Sequence, residues 1–209
     1  MVDAVVFLKA LIVGLSIAAP IGPIGLLTIQ RTLDRGFRVG LATGLGAAVA
    51  DGLYGMVGAL GVTWLITALN AARVPLALAG GGLLLVLAWR TWTTPLSAPT
   101  ADQAPAASGV WTAFGTTLLL TLANPATIVS FIAVFGALAA GVGGAVAPAT
   151  MIGGVFLGSA CWWLFLVSVV GATRHRFDDR WRRRVSMGSA GVLAAFAVVQ
   201  LVAAARALA

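Results

Sequence analysis

Asp51 is the residue of this chain best placed to do chemistry. All six acids are aspartates: Asp3, Asp34, Asp51, Asp102, Asp178 and Asp179. Only Asp51 lies within an apolar run. It follows Gly40 at a distance of roughly 16 Å along a helix, at 1.5 Å per residue. That is near the middle of a hydrocarbon core about 30 Å thick. A charge at that depth costs on the order of 3 kcal/mol even on lenient insertion scales. Such a carboxyl belongs in a bundle interior or a wet cavity, where it can carry a proton or hold a cation. A structural, hydrogen-bonded aspartate is the plainer alternative. Gly44, Ala47, Asp51, Tyr54 and Gly58 recur at three- and four-residue spacing, so they form one helical stripe. Gly40 and Gly44 are a small-xxx-small pair that lets membrane helices approach closely. Tyr54, one turn beyond Asp51, can donate a hydrogen bond, stack on a ligand, or simply pack.

Two helix breakers interrupt apolar runs at comparable places. Pro20-Ile21-Gly22-Pro23 breaks the first run and Asn124-Pro125 the fourth, about 105 residues later. Broken backbone in lipid is tolerated where it is buried in protein or lines a cavity. Paired breaks in two halves point to a transporter's substrate site. Pro20, Gly22, Pro23, Asn124 and Pro125 are therefore site candidates alongside Asp51 and Tyr54. The Asn124 amide can repair the kink, bind a polar ligand, or do both. Thr121, Thr127 and Ser130 are weaker candidates, because membrane hydroxyls often bond their own helix. Ser159 holds roughly the place in the second half that Asp51 holds in the first, and Trp162 that of Tyr54. Lys9 can snorkel to the headgroups along its long stem, or reach Asp51.

The elements that must position these residues are helices in a membrane. The 209 residues are 60% hydrophobic and 9% charged, against about 25% charged in a soluble domain. The expected class is an all-α, polytopic integral membrane protein forming a single domain over 1–209. Six runs are long enough to span, about 4–29, 40–67, 75–92, 112–139, 149–172 and 186–207. The net charge of +7 does not indicate nucleic acid, because the arginines collect in short connections. Arg31, Arg35 and Arg38 fall in the first, and Arg174, Arg176, Arg180, Arg182, Arg183 and Arg184 in the fifth. The positive-inside rule puts loops one, three and five in the cytoplasm and both termini outside, with the loop-five arginines near anionic lipid. A Pro-bearing stretch at about 93–110 reads as a linker. It separates a repeat at about 1–92 from one at about 111–209. Three spans each give the halves opposite orientations, an inverted repeat. The first run has no basic start and reads as a retained span, not a signal peptide. Cys161 and His175 are each single, which argues against an internal disulfide and a soft-metal site. No cofactor is implied.

The segment Ala18-Ala19-Pro20-Ile21-Gly22-Pro23-Ile24-Gly25, then Gly40 to Gly46 and on through Asp51 to Tyr54, resembles the lysine-exporter (LysE/RhtB) family of bacterial amino-acid exporters. Ala123-Asn124-Pro125 looks like that family's second signature. The resemblance covers essentially the whole chain. It implies a secondary exporter of the bacterial inner membrane, not an enzyme, that uses the proton-motive force to move amino acids or related metabolites outward. It implies roles for Pro20, Gly22, Pro23, Asp51, Asn124 and Pro125. Its partners would be an amino-acid-like small molecule, protons and membrane lipid, with room for a homo-oligomer. The chain departs from the Pro-Gly-Pro core of homoserine/threonine-type relatives by having Pro-Ile-Gly-Pro, which leaves the substrate open.

Two other readings compete. An inorganic-cation exporter would use Asp51, but has no His/Cys cluster to help it. A thiol–disulfide redox carrier would need two exchanging thiols, and Cys161 is alone.

Overall fold

The computed structural model describes residues 2–20, 22–59, 67, 71–93, 107–124, 127–128, 130–131, 148–174 and 178–208. Among them are seven α-helices and no strand. They are α1 (Val2–Ala18), α2 (Pro23–Arg35), α3 (Phe37–Ala59), α4 (Arg73–Thr93), α5 (Ala107–Leu122), α6 (Pro148–Thr173) and α7 (Asp179–Arg206).

The first break is a true interruption. The Ala19 amide still reaches the Leu15 carbonyl at 2.9 Å, but Pro20 has no N–H to continue the ladder. The Pro20 carbonyl instead accepts from the Gly22 amide at 2.9 Å. Gly22 is extended, and Pro23 opens α2, where a missing N–H costs nothing. α1 and α2 meet at 77°. A second corner follows at Gly36, whose φ of +87° suits a residue without Cβ. Its amide closes α2 on the Thr32 carbonyl, and α3 starts at the next residue.

Helix directions follow from which residues meet. A Cβ on Gly154 would touch Phe7, Ala10 and Leu11, and one on Gly158 would touch Leu11 and Leu15. α1 and α6 therefore run parallel. Gly44 lies against Trp163, Gly52 against Phe156 and Gly55 against Val155, so α3 and α6 run antiparallel. Gly46 lies against Phe114 and Leu118, and Tyr54 reaches Leu122, so α3 and α5 run parallel. α4 and α7 are antiparallel, with Gly80 beside Gln200 and Gln30 bridging Thr91 to Ser186. Small residues make these crossings close. Large apolar side chains such as Ile12, Trp89, Leu164, Phe165 and Val199 point outward and are exposed. Such a surface suits lipid, not water.

α4, α6 and the stretch Arg180–Arg206 are long and apolar enough to cross a membrane, and the bent α1/α2 pair makes a fourth crossing if counted as one span. α3 has 23 residues, or about 35 Å of helix, but its glycines and Asp51 dilute its apolar character. α5 is shorter, at 16 residues. Most of the expected second halves of spans 40–67 and 112–139 lies outside the described residues, as does most of the 93–110 linker. Two expected limits change. The first connection is not a loop, because α2 carries Arg31, Asp34 and Arg35 within its last two turns. The last helix starts at Asp179 instead of about 186, capped by the Asp178 carboxylate accepting from the Trp181 amide at 2.8 Å.

Candidate functional site

Asp51 is 4% exposed. Its Oδ2 accepts a hydrogen bond from the Ser159 hydroxyl at 2.7 Å, across the α3–α6 crossing. The Ser159 oxygen in turn accepts from the Trp163 indole N–H at 3.1 Å. Ser159 is fully buried and Trp163 nearly so. The result is a directed chain from indole to hydroxyl to carboxyl inside the bundle. Gly44 makes room for it, because a Cβ there would lie 2.5 Å from the Trp163 Cβ.

Tyr54 turns toward the other neighbour of α3. Its hydroxyl donates to the Leu122 carbonyl at 2.7 Å, and its ring stacks on Phe131 with centroids 5.4 Å apart. Leu122 is the last residue of α5, where the helix break frees carbonyls. Gln200 of α7 serves the next one, donating to the Ala123 carbonyl at 3.2 Å. The Asn124 carbonyl then accepts from the Thr127 and Ile128 amides at 3.1 and 3.3 Å, which restarts a helical turn. Pro125 lies outside the described residues.

The two breaks meet at a narrow cleft. Pro23 and Ile24 of α2 line it with Leu120 of α5, Asn124 just beyond α5, Phe196 and Gln200 of α7, and Gly80 and Leu84 of α4. Its volume is about 20 Å³, against the roughly 10–15 Å³ that one water needs. It therefore has room for a water and is closed to anything as large as an amino acid. The structure thus brings Pro23 and Asn124 together. Gly22 is the residue before Pro23 and caps α2 through its backbone. Pro20 is exposed, and only its carbonyl takes part in the turn. Asp51 is not among the cleft's lining residues. Tyr54 connects the two places, sharing α3 with Asp51 and touching the backbone two residues before Asn124.

The family model of the LysE type translocator matches residues 15–204. This chain belongs to the LysE type translocator family. It is 30% identical over 195 residues to the chemotactic transduction protein ChpE of Pseudomonas aeruginosa, covering 90% of this chain and 93% of that protein. It is 25% identical over 190 residues to YcgF of Bacillus subtilis, described as a candidate amino acid efflux protein, covering 90% of each. An uncharacterized membrane protein of Escherichia coli, YahN, is 34% identical over 110 residues, 51% of this chain and 48% of that protein. No solved structure matches the chain significantly. A translocator moves a small molecule through a membrane, and the apolar helices agree with that location.

Set in a translocator, several residues read differently from their sequence context. Trp163, which its sequence context does not single out, completes the Asp51 chain. Trp162 is half-buried and packs on Phe165. Lys9 is exposed on α1, and Asp34 pairs with Arg182 at 3.5 Å. Arg182 is 4% exposed, so it is a packing residue joining α7 to α2 and not a lipid contact. Arg31 is also buried. Gln200 carries a signal that was readable, a lone amide in a long apolar run. Cys161 is exposed on the outer face of α6.

Proposed function

We propose that this protein is a secondary exporter of the bacterial inner membrane that moves amino acids or related small metabolites, driven by the proton-motive force. Its six spans form two inverted three-helix repeats, with the site at the two breaks and at Asp51. The observation that carries this reading is the buried Asp51–Ser159 contact at the crossing of α3 and α6. These residues are 108 positions apart, close to the spacing of the two breaks. Residues at matching places in two repeats touch each other only near a two-fold axis, and transporter sites lie near such an axis. The packing supports the repeat. Exchanging α1 for α5, α3 for α6 and α4 for α7 turns the α1–α6 pair into the α5–α3 pair, both parallel. The α3–α6 and α4–α7 pairs, both antiparallel, map onto themselves.

An amino acid offers one charge of each sign. The start of α2, capped only by backbone, suits its carboxylate. Carbonyls freed at the second break and the Asp51 carboxylate suit its ammonium. Asp51 would hold a proton or an ammonium in turn, so that inward proton flow drives outward substrate flow. The similarity to YcgF, described as a candidate amino acid efflux protein, adds weight to the amino-acid class. The test is transport into proteoliposomes with an imposed proton gradient. Wild type should accumulate at least one radiolabelled amino acid when the gradient is applied. Asp51→Asn should lose that gradient-driven accumulation by about 100-fold, a deficit of about 2.7 kcal/mol. Undiminished proton-driven transport by Asp51→Asn would overturn the reading.

A further inference from the structure

Arg31 of α2 is a guanidinium only 8% exposed, and among the described residues no carboxylate pairs with it, Asp34 being paired with Arg182. Its Nη1 donates to the Thr43 hydroxyl, the Ala113 carbonyl and the Thr117 hydroxyl, each at 3.2 Å. Both hydroxyls spend their own protons on backbone, Thr43 on the Val39 carbonyl at 2.8 Å and Thr117 on the Ala113 carbonyl at 3.0 Å. Toward Arg31 they can only accept. Nη2 and Nε donate to none of the described residues. The charge that acts on Arg31 is that of Arg35, of like sign. A buried charge held only by neutral acceptors is costly. Toward the described residues Nη2 and Nε stay unused, a fork of donors whose natural complement is a carboxylate.

The position of Arg31 gives that fork a use. Arg31 lies two turns from Ile24 along α2, about 10 Å, and on the same helical face. Thr117 lies one turn from Leu120 along α5, on one face. Ile24 and Leu120 line the cleft. Arg31 and Thr117 therefore continue the same α2–α5 seam, toward the end that holds Arg35 and Arg38. The two helices touch sparingly, and Arg31 is a polar link between them.

We propose that Arg31 is a binding residue for the carboxylate of the transported molecule, met between the arginine-rich face and the cleft. The arriving carboxylate takes the free edge of the guanidinium and competes with the three neutral acceptors on α3 and α5. The α2–α5 link is loosened, and the closed cleft opens from that side. This assignment rests on the amino-acid export reading for its cargo, and it narrows the cargo to molecules that carry a carboxylate.

Two measurements test it. The first is uptake by proteoliposomes of leucine, threonine and lysine against their decarboxylated amines isoamylamine, 1-aminopropan-2-ol and cadaverine. In wild type the amino acids should win. In Arg31→Gln the KM for the preferred amino acid should rise about tenfold or more, and its advantage over the amine should fall to within about twofold. In Arg31→Lys, which keeps the charge but not the fork, KM should rise about threefold. This variant decides the matter if Arg31→Gln does not fold. An unchanged KM and an unchanged preference would overturn the proposal. The second measurement needs no transport. Acetate, propionate and succinate, against their amides, should raise the Tm of the solubilised wild type by at least about 2 °C, and should not raise that of Arg31→Gln. Carboxylates that stabilise wild type and Arg31→Gln alike would overturn Arg31 as the binding residue. If wild type moves no amino acid but shows the Arg31-dependent carboxylate effect, the export reading falls and the Arg31 site stands.

Discussion

At the scale of single residues, a side chain was legible when its chemistry conflicted with its surroundings. Asp51 stood out because a carboxyl in an apolar run needs a partner, and Ser159 provides one at 2.7 Å. Arg31 did not stand out, because it sits close to Arg35 and Arg38 and reads as one of three topology charges. Its spacing from Ile24 and Leu27, continuing the buried face of α2, was the signal that separates it from the others. Tyr54 was legible as a donor and packing aromatic, but not which groups it would serve. Its hydroxyl is spent on the backbone, repairing the break that Asn124 was expected to repair. Tyr54→Phe keeps the ring and its stack on Phe131 but strips the Leu122 carbonyl of its donor. A half-buried acceptor left this way costs about 1 kcal/mol. The expected outcome is a lower Tm in detergent with the elution profile of a folded protein. A Tm equal to wild type would show that another donor serves that carbonyl.

At the scale of helices, the apolar runs and the breaks at Pro20 and Asn124 were visible, because membrane spans and their interruptions depend on composition and on proline. Where helices end was less visible. α2 runs on to Arg35, since Gly36 and not the first arginine is the residue that can adopt a left-handed turn. Gly40 and Gly44 were legible as close-approach residues, and Thr32 and Trp163 do press on them, but which helix each meets was hidden, because close approach is a property of a pair of helices. α6 offers a direct comparison. A Cβ on Gly158 would collide with the Leu11 carbonyl of α1, whereas one on Gly153 would meet nothing within 4 Å. Gly158→Ala should therefore push α1 off α6 and cost about 1–3 kcal/mol. Gly153→Ala should be neutral, or stabilising by up to about 1 kcal/mol through helix propensity. Thermal unfolding of the two variants under one condition checks this. Equal Tm values would mean that α1 does not dock on α6 through Gly158.

At the scale of the whole molecule, the proposal of two halves starts from the spacing of the breaks, and only the contacts give the helices a direction. α1 runs parallel to α6, α6 antiparallel to α3, and α3 parallel to α5. α1 and α5, which open the two halves, therefore run opposite to each other. In the proposed inverted repeat, each half would present its breaker to the other from the opposite side, so that one cleft would close from either face by the same kind of motion. The arrangement makes a topological prediction. With six spans and the arginine-rich ends of α2 and α7 in the cytoplasm, both termini lie outside. Cys161→Ser removes the one native thiol, and its outward position on α6 makes that change mild. In this background, cysteines placed at Ala4 and Ala207 should react with a membrane-impermeant maleimide in intact cells or spheroplasts. Cysteines at Arg35 and Arg183, both exposed, should react only after the membrane is opened. Labelling of the two termini from opposite sides would require an odd number of spans, and the inverted repeat would have to be abandoned. Labelling of Arg35→Cys from outside would keep the repeat but reverse the direction of every charge-based argument about which face the substrate enters.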